Sequence, residues 1–242
     1  MPDRRLSPSL VAWANAWLTG HTGLDQAVDA IERTGPHLVG EVPLRAWLAG
    51  LRPAGLTGLR LALPAPGDPL GLAGPPEFNT AAIEAGEAAV ALLDGTAVGL
   101  VPTEDLRGSS YCGTAWRVFA ARTEQPDVPS VAEADRALTA AMREVTEIMT
   151  TIDDINGQRS AVLKALRDDA DSGLAPGYPA RAHRVDAQAT RLALILTLAD
   201  RTAGHALTSR QALARAEALT TLDRAIRRAH VAAHNAVFEP AR

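Results

Sequence analysis

The chain of 242 residues has a single cysteine, Cys112, so no intrachain disulfide can form and stability must come from an ordinary apolar core. A chain of this length can build that core as one large domain or two modest ones. Aromatic residues are scarce, at 4%. Alanine and leucine supply much of the apolar surface instead, and both lose little on entering a helix. Lysine is nearly absent, with Lys164 alone among the arginines. Neither sign of charge dominates: the formal net charge is -4, without an acidic or basic tail, and a division near Pro129 leaves an acidic first part and a nearly neutral second part. Phosphate backbones need a broad positive surface, so this balance disfavours nucleic acid. Long hydrophobic runs are missing too. The N-terminal MPDRRLSPSLVAWANAWLTG is broken by Asn15, and no window approaches the roughly twenty apolar residues of a membrane span. No membrane insertion is expected, and cytoplasmic placement follows by default.

The pattern that is present is helical first. Leu10, Trp13 and Trp17 recur at helical spacing, with Ser7 or Ser9 as the expected cap and Gly20 as the stop. A second short helix is expected over Leu24 to Glu32, and a third over Val42 to Leu51. The character then changes. Leu59 to Leu63 reads as a strand ended by Pro64 and Pro66, and the loop GDPLGLAGPPEFN runs from Gly67 to Asn79. Asn79 or Thr80 is the expected cap of a short helix through Ile83 that stops at Gly86. GEAAVALL and TAVGLVP flank Asp94 and Gly95, a pair that predicts a type I′ hairpin turn. A further strand is expected to place Cys112, Thr114, Trp116, Val118 and Ala120 on one face, with Cys112 half-buried.

Thr123 to Ser130 is a connector, and Ser130 with Glu133 forms a capping box. From there Ala134, Leu138, Ala141, Val145, Ile148, Ile152 and Ile155 follow a heptad-like seam, extendable through Val162 and Leu166 past a break at Asn156 and Gly157. Asp168 to Ala180 interrupts. A next helix carries Ala182, Val185, Ala189, Leu192, Leu196, Ala199 and Ala203, ending near Gly204. A last helix, capped by Thr208 or Ser209, carries Leu219, Leu222, Ile226, Ala229, Ala233 and Val237 before Pro240. The expected fold is therefore α+β and predominantly helical. Residues 1–128 form short helices and a three- to four-stranded antiparallel sheet, and residues 129–242 form an antiparallel bundle of three to four long helices.

Few residues carry chemistry beyond this. In the Gly67 to Asn79 loop, Asp68, Leu70, Leu72, Glu77, Phe78 and Asn79 are the candidate partner- or ligand-binding residues, since a stiff, partly apolar loop loses little order on binding. The ordinary alternative is a structural crossover that covers one end of the sheet. His230 and His234 stand four apart on one helical face, so they can chelate a divalent metal, with Asp223 orienting one ring. A catalytic zinc site wants a third ligand, and the segment lacks HExxH. His183 and Asp186 on the preceding helix can complete such a cluster, although their spacing does not demand it. Glu144 and Glu147 have no Glu-x-x-His beside them, which argues against a di-metal centre. Ser109 and Ser110 lack the G-x-S-x-G elbow. Arg215, Arg224, Arg227 and Arg228 make a modest basic stripe suited to an acidic partner surface. The seams and the shortage of convergent polar chemistry favour a non-catalytic interaction or scaffold protein without a cofactor, joined to a protein partner or to itself. The alternative is a hydrolase with a pocket between sheet and bundle, with or without a divalent metal.

Overall fold

The computed structural model describes residues 5–106, 111–124, 128–151, 172–201 and 209–238. In chain order these form α1 (Ser7–Leu18), α2 (Leu24–Ile31), β1 (His37–Val39), β2 (Val42–Pro43), α3 (Leu44–Leu51), β3 (Gly58–Ala62), α4 (Pro76–Ala85), β4 (Ala88–Leu93), β5 (Thr96–Asp105), β6 (Gly113–Ala121), α5 (Val131–Thr151), α6 (Ala180–Arg201) and α7 (Ser209–His234). A 3-10 turn, Ala236–Phe238, follows α7. Among the described residues the architecture is a mixed six-stranded sheet with short helices, followed by a bundle of three long helices.

By contact density the chain divides into two units. The first comprises Met1–Val128 with Gly173–Pro179 and His234–Arg242, and the second comprises Pro129–Ser172 with Ala180–Ala233. The segment Gly173–Pro179, which the sequence places inside the helical region, thus counts with the sheet. Leu174, Ala175 and Tyr178 are buried there. The Tyr178 hydroxyl donates to the carbonyl of His234 and accepts from Asn15 Nδ2.

The sheet order is β2-β1-β6-β5-β4-β3. It exceeds the three to four strands expected, because the short His37–Val39 and Val42–Pro43 strands add to the long ones. Their brevity hides them from periodicity, and Val42–Pro43 reads in sequence as the start of α3. The sheet is not purely antiparallel either, since β1 runs parallel to β6 with His37 opposite Thr114 and Val39 opposite Trp116. β3 to β6 are antiparallel neighbours, as the sequence suggests. Leu93 pairs with Thr96 across the Asp94-Gly95 turn, but only Gly95 has positive φ, at 75°. The turn is therefore not the type I′ form, which needs positive φ at both residues.

α4 covers one face of the sheet. Phe78, Ala81 and Ala82 pack with Ala62, Leu72, Val90, Leu92 and Val101, and Phe119 of β6 joins them. Gly99 on β5 makes room for the Phe78 ring, since a Cβ there would meet ring carbon at 2.5 Å. Along β6 the expected alternation holds for Thr114 and Trp116, both buried, and fails beyond them. Val118 is 51% exposed, and Cys112, expected half-buried, is exposed.

Local caps differ from the simplest sequence reading. The N-terminus of α1 takes no serine cap; Glu87 Oε2 accepts the backbone N–H groups of Leu6 at 2.8 Å and Ser7 at 2.6 Å. A carboxylate at a helix N-terminus suits both the orphan donors and the dipole. α4 begins at Pro76 and not at Asn79 or Thr80, and the Asn79 side chain accepts from Gly74 N–H. Gly86 stops the helix in the left-handed conformation, as expected.

The open edge of the sheet is finished by side chains. Leu59 and Leu61 of β3 point their backbone groups away from β4. Asn15 of α1 accepts from Leu59 N–H and donates to Leu59 C=O, both at 2.8 Å. Asn235 does the same for Leu61, at 2.8 and 3.2 Å. Two asparagines thus stand in for a seventh strand, which blunts an edge that would otherwise be open to pairing.

In the helical unit the Ser130 capping box forms as read: Ser130 N–H donates to Glu133 and Glu133 N–H to the Ser130 hydroxyl. Most of the described seam positions are buried, including Ala134, Leu138 and Ala141 on α5, Ala182, Val185, Ala189 and Leu192 on α6, and Leu222, Ile226, Ala229 and Ala233 on α7, whereas Leu196, Leu219 and Val237 are only half-buried. Arg181 of α6 pairs with Asp135 of α5 at 3.0 Å. The expected seam positions Ile152, Ile155, Val162 and Leu166, the break at Asn156 and Gly157, Ala203, Gly204, Thr208 and Pro240 lie outside the described residues, as do the side chains of Val145, Ile148 and Ala199. No described helix is long and apolar enough to cross a membrane.

Candidate metal centre

α6 and α7 are built from alanine-rich sequence. On the buried seam Asp186 stands four residues after Ala182 and three before Ala189. His230 stands four after Ile226 and three before Ala233, and His234 closes the last turn of α7. Helical geometry places each on the face turned to the neighbouring helix. Asp186 is 1% exposed and His234 2%, while the His230 side chain retains 16%.

A carboxylate this deeply buried is costly unless it is paired and hydrogen-bonded. Asp186 meets both conditions. Its Oδ1 lies 2.8 Å from His230 Nδ1, and its Oδ2 accepts from the Ser172 hydroxyl at 3.2 Å. Ser172 Oγ is in turn 3.2 Å from His183 Nδ1. Asp186, His230 and His234 each offer one ligand atom, and these three atoms all lie within 4.8 Å of one another. Two imidazoles and a carboxylate at that separation can close on a first-row divalent ion such as zinc or iron. Magnesium and calcium prefer sets made of oxygen alone.

The cluster corrects the expected ligand set in one member. Asp223 is not part of it, because its Oδ2 accepts from Arg227 Nε at 2.9 Å, one turn along the same helix. Asp223 shares a helical face with His230 but stands seven residues before it, roughly 10 Å along the helix axis, which puts its carboxylate beside Arg227 and out of reach of the cluster. Asp186 takes the place that Asp223 was expected to fill. His183 joins only through Ser172. Ser172 went unnoticed in the sequence because a serine in a loop has no periodic signature. Asp186 did leave a signal, as a carboxylate in register with an apolar stripe.

The other candidates disperse. Leu70, Leu72 and Phe78 of the Gly67–Asn79 loop are buried in the sheet unit, Asp68 is buried, Asn79 holds the loop backbone, and Glu77 stays at the surface of α4. Those apolar side chains are occupied in packing within the sheet unit. Glu144 is exposed. Ser109, Ser110 and the side chains of Glu147 and Arg215 lie outside the described residues.

One further buried histidine belongs to the sheet unit. His37, 1% exposed, accepts at Nδ1 from the Trp116 indole N–H at 3.2 Å, so Nε2 carries the ring proton. Burial pushes its pKa down to about 4, which keeps it neutral. Burial pushes Glu87 the other way, upward, against the pull of the N–H groups of Ser7 and Leu6.

Comparison with known proteins adds lineage. Residues 7–132 match the N-terminal domain of Rv1486c-like proteins and residues 132–231 their C-terminal domain. The uncharacterized protein Rv1486c of Mycobacterium tuberculosis is 29% identical over 240 residues, covering 79% of this chain and 82% of its own length. An uncharacterized protein of Mycobacterium leprae is 27% identical over 297 residues, covering 97% of this chain and 98% of its own length. No solved structure matches the chain. The two adjoining domain matches, which together run from residue 7 to residue 231, establish that the chain belongs to the Rv1486c-like protein family.

Proposed function

We propose that this chain is a metal-dependent hydrolase that holds a first-row divalent ion, zinc by its donor chemistry, through Asp186, His230 and His234. The observation that carries the reading is the convergence of their three ligand atoms within 4.8 Å on a stripe otherwise made of alanine and branched aliphatic residues. Helix packing by itself does not call for a buried carboxylate and two histidines, and apolar residues of similar volume would serve stability as well or better. This weighs against a purely non-catalytic scaffold.

The three donors that converge among the described residues suit catalysis. Structural zinc sites are closed by four protein ligands, often cysteines, whereas catalytic sites use three and keep one position for water. An ion held there would supply the acidification of water near neutral pH on which metal-assisted hydrolysis depends. His230, the most exposed of the three, marks the side from which water and substrate approach.

The test uses the full chain purified without an affinity tag. Elemental analysis and titration of the metal-free protein with Zn²⁺ and Co²⁺ should show a single saturable ion per chain. His230→Ala and His234→Ala should each abolish that uptake. A panel of ester, amide and phosphoester substrates should then reveal hydrolysis that chelation removes and zinc restores. Absence of both bound ion and saturable uptake overturns the site, and uptake without hydrolysis on any substrate overturns the reaction class alone.

A further inference from the structure

We infer that Ser172 and His183 are positioning residues for the metal centre, holding the Asp186 carboxylate in its ligating orientation through a directed chain of hydrogen bonds. The inference rests on the metal reading above and extends it to two residues that touch no ligand position themselves.

The direction of the chain follows from counting protons. An ionised carboxylate only accepts, and a serine hydroxyl has one hydrogen to give. Ser172 Oγ gives that hydrogen to Asp186 Oδ2, at 3.2 Å. Its contact with His183 Nδ1, also 3.2 Å, is then a bond that the hydroxyl oxygen accepts, so His183 carries its ring proton on Nδ1. The chain reads His183 Nδ1–H to Ser172 Oγ–H to Asp186 Oδ2. The other carboxylate oxygen, Oδ1, faces His230 at 2.8 Å. Both oxygens of a buried side chain are thereby assigned, one toward the histidine of α7 and one toward the supporting pair. Asp186 and His183 stand three apart on α6, so one helical face carries the ligand and the end of its support.

Such outer partners fix the rotamer and basicity of a ligand, and their loss typically weakens metal affinity by about 10- to 100-fold. A pair that merely filled space would tolerate any small residue at 172 and any ring or amide at 183.

The experiment titrates the metal-free full chain with Co²⁺, reading affinity and the visible absorption of the bound ion, with thermal unfolding in chelator as the check on folding. Ser172→Ala and His183→Ala should each weaken Co²⁺ binding by about 10- to 100-fold and alter its spectrum, while unfolding in chelator stays near that of the parent. Ser172→Thr, which keeps the hydroxyl, and His183→Asn, which places an amide N–H where Nδ1–H stood, should restore affinity and spectrum. If Ser172→Ala does not fold, Ser172→Cys, a weak donor of similar size, replaces it in the same comparison. Parent protein that binds Co²⁺ in a His230-dependent way, with Ser172→Ala and His183→Ala binding equally tightly, overturns this inference and leaves the metal centre standing. Parent protein that takes up no Co²⁺ overturns both.

Discussion

The sheet unit and the helical unit bury polar side chains for different purposes. In the sheet unit each pair works for the backbone or for a single partner. Asn15 and Asn235 complete the edge strand, Glu87 holds the start of α1, and His37 receives the indole of Trp116. In the helical unit Asp186, His230, Ser172 and His183 are joined to one another by side-chain contacts. Buried polarity that serves the fold can be traced to an orphan backbone group nearby. A cluster of titratable side chains joined to one another is where chemistry should be sought.

That contrast can be broken experimentally, beginning where it predicts most. Asn235→Ala leaves the N–H and C=O of Leu61 without their partner, and at about 2 kcal/mol for each unmet group should cost about 4 kcal/mol in urea unfolding. An effect below 1 kcal/mol would show that water reaches the edge and that the asparagine is not its closure.

The next test uses pH. His37 is held at about 4 in the fold against 6.5 when unfolded. Above 6.5 both states are neutral and the group contributes nothing to the slope. Between 6.5 and 4 the unfolded chain takes up a proton that the folded chain refuses, so stability rises with pH across that window. The loss on acidification should approach about 3 kcal/mol at pH 4, and His37→Asn, whose Oδ1 stands where Nδ1 accepted from Trp116, should flatten that part of the profile. An unchanged slope in the variant would assign it to other groups.

The smallest effect belongs to the start of α5, where Ser130→Ala should cost about 1 kcal/mol by removing an exposed cap. It should leave Co²⁺ uptake untouched, because the cap serves the backbone and no ligand. A fall in uptake with an intact fold would mean that the helix end and the metal centre are coupled.

Much of the framework was legible because local rules produce it. The Ser130–Glu133 box is a four-residue pattern with its own hydrogen bonds, and Ala182, Val185, Ala189 and Leu192 announce a buried stripe by spacing. β3, β4, β5 and β6 follow from apolar runs and turn residues. Less legible were the features made by distant partners. β1 and β2 are too short to show a period and exist because β6 offers β1 an edge. Glu87 caps a helix whose residues stand about eighty positions away. At the candidate site, the spacing of His230 and His234 was visible, with Asp223 as the carboxylate beside them and His183 and Asp186 as further candidates whose spacing demanded nothing; Asp223 pairs with Arg227, and it is Asp186 that converges.

The amino-acid sequence by itself therefore determined that the chain has a strand-rich first part and a helical second part, and that two histidines share a face of the last helix. Periodicity and capping act over a few residues, and one dimension suffices to read them. Only the tertiary structure decided that Asp186 meets those histidines, that Ser172 and His183 stand behind it, and that two asparagines close the sheet. Each of these depends on residues up to 174 positions apart reaching hydrogen-bond distance, as Asn235 and Leu61 do. That proximity is set by how the elements fold back on one another and leaves no trace in local spacing.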